Sequence, residues 1–222
     1  MTTSPIPHAF NYQYQRLMIG LVALLLPVLV IIFGCDELSS LSISYHSTAR
    51  DMFVANIYAV GALMIPYQGK NGQEPIEFWV PKIGGISAML VGLVPMDCKL
   101  DELGNIIQPF DCFIDVACNS TNGSIHLAAS ILVFVALFIL CIIFRKHALE
   151  KNTPTSRLRA HIYVGCMGGI ILGVIISARI PWLMSLLGER YVYWAETIML
   201  ISFSIAWLTA SKMIIREKAA KP

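Results

Sequence analysis

The chain has 222 residues, of which 56% are hydrophobic and 14% charged, with mean hydropathy +0.68 and a formal net charge of +2. Soluble domains carry about 25% charged residues, so this composition excludes an ordinary water-soluble fold, and the basic residues, gathered on one face that suits anionic lipid headgroups, need no nucleic acid partner to explain them. What it fits is a protein whose solvent is the lipid bilayer.

In chain order, apolar runs at residues 17–34, 51–67, 81–95, 125–144, 161–178 and 191–215 predict an all-α fold. It is a polytopic membrane bundle of six transmembrane helices, forming one domain over 1–222. The first run, LMIGLVALLLPVLVIIF, carries no polar side chain. About twenty residues at ~1.5 Å each cross a hydrocarbon core of ~30 Å. The run exceeds the usual h-region of a signal peptide and no small-x-small cleavage site follows it, so it is expected to be retained. The connections between runs are too short to fold alone.

Positive charge stays on the cytoplasmic side of a membrane. Placing both termini inside leaves only Arg50, Lys99, Arg179 and Arg190 of the sixteen Lys and Arg outside. This orientation in a cell membrane puts Cys35, Cys98, Cys112 and Cys118 on the oxidising side, where two disulfides are expected, with three pairings open.

Between the first two runs lies SISYHSTARDMFV, residues 42–54. Thr48-x-x-Asp51 reads as a capping box for the second helix, which accounts for those two residues and leaves Tyr45, His46 and Arg50 unexplained. His126 opens the fourth helix, with Ser130 one turn below it. Glu196 falls roughly 7–8 Å inside the sixth. An ionisable group at that depth costs a few kcal/mol, about 3 on insertion scales, and marks a site or a buried ion pair. Its expected partner is Arg179, then Arg50. Helices two, four and six all start outside, so Asp51, His126 and Glu196 are expected to converge with His46 on one outer pocket. Glu196, Leu200, Phe203 and Trp207 share one stripe of the last helix, which should face inward. Gly84-x-x-x-Ala88-x-x-x-Gly92 and Gly165-x-x-x-Gly169-x-x-x-Gly173 are strips on which another helix backbone can approach closely.

SISYHSTARDMFV, the third helix ending in GLVP, IH at the start of the fourth and WAETIMLISFSIAWL in the last together resemble a family of bacterial six-helix membrane proteins with no assigned activity. The resemblance covers most of the helical chain, and the segment 97–124 is an excursion beyond the family pattern. More distantly, the outer cluster is similar in kind to the alkaline-ceramidase and progestin-receptor superfamily of membrane hydrolases, which surround zinc with Ser, Asp and three His. That similarity implies such parts for Ser44, His46, Asp51 and His126, although the last helix has Glu196 where the superfamily has His-x-x-x-His.

The expectation is a metal-assisted hydrolase of a lipid amide or ester in contact with the bilayer. His46, His126 and Glu196 would hold a divalent metal such as zinc, Asp51 or Glu196 would act as base, and Arg50 or Arg179 would meet the developing oxyanion. The alternative is a non-catalytic ligand-binding or scaffolding membrane protein whose polar cluster is a structural salt-bridge network.

Overall fold

The computed structural model describes residues 12–34, 38–69, 74–97, 112, 114, 120–178 and 180–216, and what it describes is helical. The helices are α1 (Tyr12–Phe33), α2 (Arg50–Met64), α3 (Pro75–Leu93), α4 (Ser120–Lys151), α5 (Pro154–Ser177), the short α6 (Pro181–Leu187) and α7 (Tyr191–Ala210). Single 3₁₀ turns cover Ser42–His46 and Gly188–Arg190.

The long helices close into a ring. Each of α1 to α4 packs on its successor, α5 packs on α7, and α7 returns to α1. Inside the ring Trp207, Phe203, Leu137, Leu140, Leu26 and Met64 are buried, while Leu127, Ile131, Ile171 and Val174 face outward. An apolar exterior around an apolar interior is what a bundle in hydrocarbon requires, since lipid and core make the same demand on a side chain. Five spans, including Pro181–Ala210, are long and apolar enough to cross a membrane, so the chain is a multi-pass membrane protein. The remaining member of the ring, α2, has 15 residues, or about 22 Å at 1.5 Å per residue.

Several boundaries differ from the expectation. The basic segment 145–160 is helical rather than a loop, because α4 runs on to Lys151 and α5 begins at Pro154. Hydropathy marks where a helix leaves hydrocarbon and not where it ends. What ends α4 is local: Asn152 takes φ +52°, and Thr153 caps α5 in a capping box with Ser156. Conversely, α7 stops at Ala210, not at 215.

The glycine strips do their expected work in part. A Cβ on Gly61 would lie 2.6 Å from the Gly85 carbonyl, and one on Gly85 2.8 Å from the Gly61 carbonyl, so α2 and α3 meet backbone to backbone. On α5, Gly173 faces the Ala195 carbonyl of α7 and Gly169 faces Ser202, whereas Gly165 has open space.

The end bearing the α4–α5 turn is the inner end by the cation distribution, and it is expected to be cytoplasmic. In intact cells, on a background without other accessible thiols, a membrane-impermeant maleimide should label Asp51→Cys and spare Lys151→Cys. Labelling at position 151 would invert the orientation.

Candidate functional site

After α1 the chain does not stay at the surface. Leu38 and residues 40–47 are buried, with Ser44, His46 and Ser47 at 0% exposure. The segment forms a plug in the outer half of the ring. Irregular backbone inside a membrane bundle survives only if every N–H and C=O finds a protein partner, and here the partners are identifiable. Ser40 Oγ accepts from Ile43 N–H at 3.0 Å, and Tyr193 N–H donates to Ser39 O at 3.0 Å. Ile114 N–H donates to His46 O at 2.8 Å, and Thr48 N–H donates to Cys112 O at 3.1 Å. Of the four cysteines expected to form two disulfides, Cys112 is described, and Cys35, Cys98 and Cys118 lie outside the described residues.

The capping box is a correction. The N-cap of α2 is Ala49, one residue later than expected, and no side chain caps it. Thr48 instead donates its hydroxyl to Phe33 O at 2.8 Å, closing the end of α1.

Glu196 anchors the plug. Its Oε2 accepts from Leu41 N–H at 2.5 Å and Ser42 N–H at 3.4 Å, and its Oε1 accepts from Ser42 Oγ–H at 3.1 Å. A carboxylate is therefore seated on the N-terminal donors of the 3₁₀ turn, where the backbone dipole favours negative charge. The partner the sequence proposed, Arg179, lies outside the described residues. Glu196 is bonded to backbone and hydroxyl from a segment 155 positions away.

Two histidines sit beside this anchor. His46 Nε2 lies 2.7 Å from Met96 O, and His126 Nδ1 lies 2.7 Å from Val94 O. A carbonyl only accepts, so His126 carries a proton on Nδ1, and in the neutral ring Nε2 is then an acceptor. That Nε2 is buried with no hydrogen-bond partner among the described residues, in a side chain 3% exposed. His126, Glu196 and Ser42 all border a groove of about 1090 Å³ between the outer halves of α4, α5 and α7. Its outer mouth is polar, with Ser42, Asp97, Ser124, His126, Ser130 and Glu196. Its inner reach is apolar, walled by Phe134, Phe138, Ile139, Ile171, Val174 and Met199.

The structure thus brings His126 and Glu196 to one groove, with His46 in the adjoining plug. Asp51 is exposed in the first turn of α2 and does not line the groove. Arg50 turns to Tyr45, its guanidinium 4.9 Å from the ring centroid and its Nη2 3.4 Å from the hydroxyl. Among the described residues no three His, Cys, Asp or Glu side chains gather as a metal-ligand set. Sequence reasoning expected an outer pocket here but did not trace its apolar wall along α4. The signal was His126, Ser130, Phe134 and Phe138, four residues apart along α4, a stripe whose polar end is outermost.

A family model described as "Protein of unknown function (DUF998)" matches residues 18–210. No curated protein and no solved structure matches the chain.

Proposed function

Because the chain belongs to this family, whose description assigns no activity, we propose a function from its own geometry: it takes up one amphiphilic lipid from the outer leaflet and holds it in the groove between α4, α5 and α7. The observation that carries this reading is the division of the groove. Polar residues, His126 among them, cluster at the mouth, and hydrocarbon side chains line the rest. From Ile131 to Ile139 the apolar wall runs about 12 Å along α4, a length suited to part of an acyl chain. A headgroup with a hydroxyl or amide N–H would donate to His126 Nε2, and a buried acceptor with no donor is costly to leave unmade.

A second reading, hydrolysis of a lipid amide or ester, is favoured by the same lone pair. His126 Nε2 would take a proton from water, the hydroxide would add to the lipid carbonyl, and the departing amine or alcohol would receive the proton. A zinc ion on His46, His126 and Glu196 would be a separate version of this reading, because it would occupy the Nε2 lone pair that otherwise takes the proton. The three side chains do not gather as a ligand set among the described residues, and the Glu196 carboxylate would have to turn away from Leu41 and Ser42.

Native mass spectrometry of the gently solubilised protein tests the binding. The wild type should retain a lipid that Val174→Trp, which narrows the groove, loses or holds roughly tenfold more weakly, a change of about 1.4 kcal/mol. Equal retention by both would end the proposal. Conversion of the retained lipid to two products, abolished in His126→Gln and tracking metal content or not, would move the reading from carrier or receptor to hydrolase.

A further inference from the structure

The charges that border the outer groove are of one sign. Two carboxylates, Asp97 and Glu196, line it, and among the described residues no lysine or arginine does. The described arginines of the outer end are engaged with aromatic rings. Arg50 lies over Tyr45 in the plug, and Arg190 lies 4.7 Å from the ring centre of Tyr193 and 5.9 Å from that of Trp194. At about 100° per residue those two rings are on the side of α7 opposite Tyr191, Val192, Glu196 and Met199, which border the groove. In sequence, the stretch joining α3 to α4 continues the same sign, with Asp97, Asp101, Glu102, Asp111 and Asp115 against Lys99.

Backbone packing holds Asp97 at this mouth. The residue is exposed just beyond the end of α3, where the chain crosses the first turn of α4. A Cβ on Gly123 would meet the Asp97 Cβ and lie 3.1 Å from its Cγ and from its backbone nitrogen, so the crossing is closed by a glycine. A carboxylate bordering an apolar groove is screened less than one in open water. It therefore attracts an ammonium group, and repels a phosphate, more strongly than an ordinary surface charge does.

We propose that the amphiphile held in the groove has a positively charged amine headgroup without a phosphate, and that Asp97 is the residue that selects it. This rests on the groove being a lipid site and adds the chemical class of the lipid. An ammonium group donates its N–H to carboxylate and hydroxyl oxygens, and the mouth supplies these at Asp97, Glu196, Ser42 and Ser130. A phosphate would instead bring negative charge beside two carboxylates, which is the repulsive element that specificity needs. Acyl chains are common to lipids of every headgroup, so the walls of the groove do not discriminate and its mouth does.

Three lipids with the same acyl chains test the class: cationic dioleoyl dimethylammonium propane, neutral dioleoylglycerol and anionic dioleoylphosphatidate. Each is added to lipid-depleted full-length protein in a nonionic detergent, and binding is read by native mass spectrometry. Binding that Val174→Trp loses is groove binding, which sets aside any phosphatidate held at the basic inner end. In the groove the cationic lipid should bind roughly tenfold more tightly than dioleoylglycerol, and phosphatidate most weakly. Asp97→Asn should lose most of that preference while still binding dioleoylglycerol, and Asp97→Glu, which keeps the charge, should keep it. Asp51→Asn, an exposed acid of the same end that does not border the groove, should bind all three as the wild type does. If Val174→Trp changes the binding of none of the three, the groove is not a lipid site and both proposals fall. If Val174→Trp lowers binding but dioleoylglycerol or phosphatidate occupies the groove as tightly as the cationic lipid, or if the preference survives in Asp97→Asn, the lipid site stands and the headgroup class is wrong.

Discussion

Replacing Gly85 by leucine is expected to cost a large part of the stability of this chain. Gly61 and Gly85 present their carbonyls to each other across the α2–α3 contact, so that a Cβ on either would lie 2.6–2.8 Å from backbone oxygen on the facing helix. A side chain could rotate out of the way, but a helix backbone cannot. The two helices must separate, and α2 is the shortest of the ring, with 15 residues and the least apolar surface over which to absorb a shift. Overpacking costs about 1–3 kcal/mol where side chains can adjust, so a loss on the order of 3 kcal/mol or more is expected here. The control is Gly165→Leu on α5. No atom lies within 4 Å of a Cβ there, and the unfolding temperature should be unchanged. Thermal denaturation in detergent reads both variants. Equal stability of Gly85→Leu and wild type would show that α2 and α3 do not pack through these glycines.

The second large effect is expected at Glu196. Its carboxylate accepts from Leu41 N–H, Ser42 N–H and the Ser42 hydroxyl, and the plug around it is buried. Glu196→Leu keeps the bulk but leaves two backbone donors in a place water does not reach. Each such donor costs roughly 1–3 kcal/mol, giving a loss of about 2–6 kcal/mol in total. Glu196→Gln should be far milder, roughly 1 kcal/mol, because its amide oxygen can take both N–H groups while its NH₂ donates to Ser42 Oγ. The order Glu > Gln ≫ Leu is specific to an acceptor of backbone hydrogen bonds. A carboxylate needed mainly as the partner of a cation would instead make Gln nearly as damaging as Leu. Amide hydrogen exchange at Leu41 and Ser42 should rise sharply in Glu196→Leu. Unaltered exchange there would sink this account of the plug.

Much of the architecture was legible in the sequence, because the signals that carry it are local. A polar-free stretch from Leu17 to Phe33 identifies a membrane helix without reference to anything else. The 3.6-residue period alone turned Leu200, Phe203 and Trp207 inward, and they are 7%, 1% and 0% exposed. Small residues four apart correctly marked Gly169 and Gly173 as contact points on α5. Even Glu196 was conspicuous, because a carboxylate at that depth needs an explanation wherever its partner lies.

What the sequence could not supply was the identity of partners distant along the chain. SISYH reads as a loop by composition, and only the closed ring shows that it fills the outer mouth and is held there by a helix 155 positions away. Thr48 matched a capping pattern, yet its hydroxyl closes α1 through Phe33 O, because a four-residue motif does not reveal where a helix begins. The outer groove exists only as a space between helices. Hydropathy and periodicity say which face of a helix avoids water. Which faces then meet, and where they fail to meet, is decided by backbone packing and hydrogen bonds across the whole chain, and it was the tertiary structure that placed Asp97, His126 and Glu196, from three parts of the chain, at the mouth of one groove.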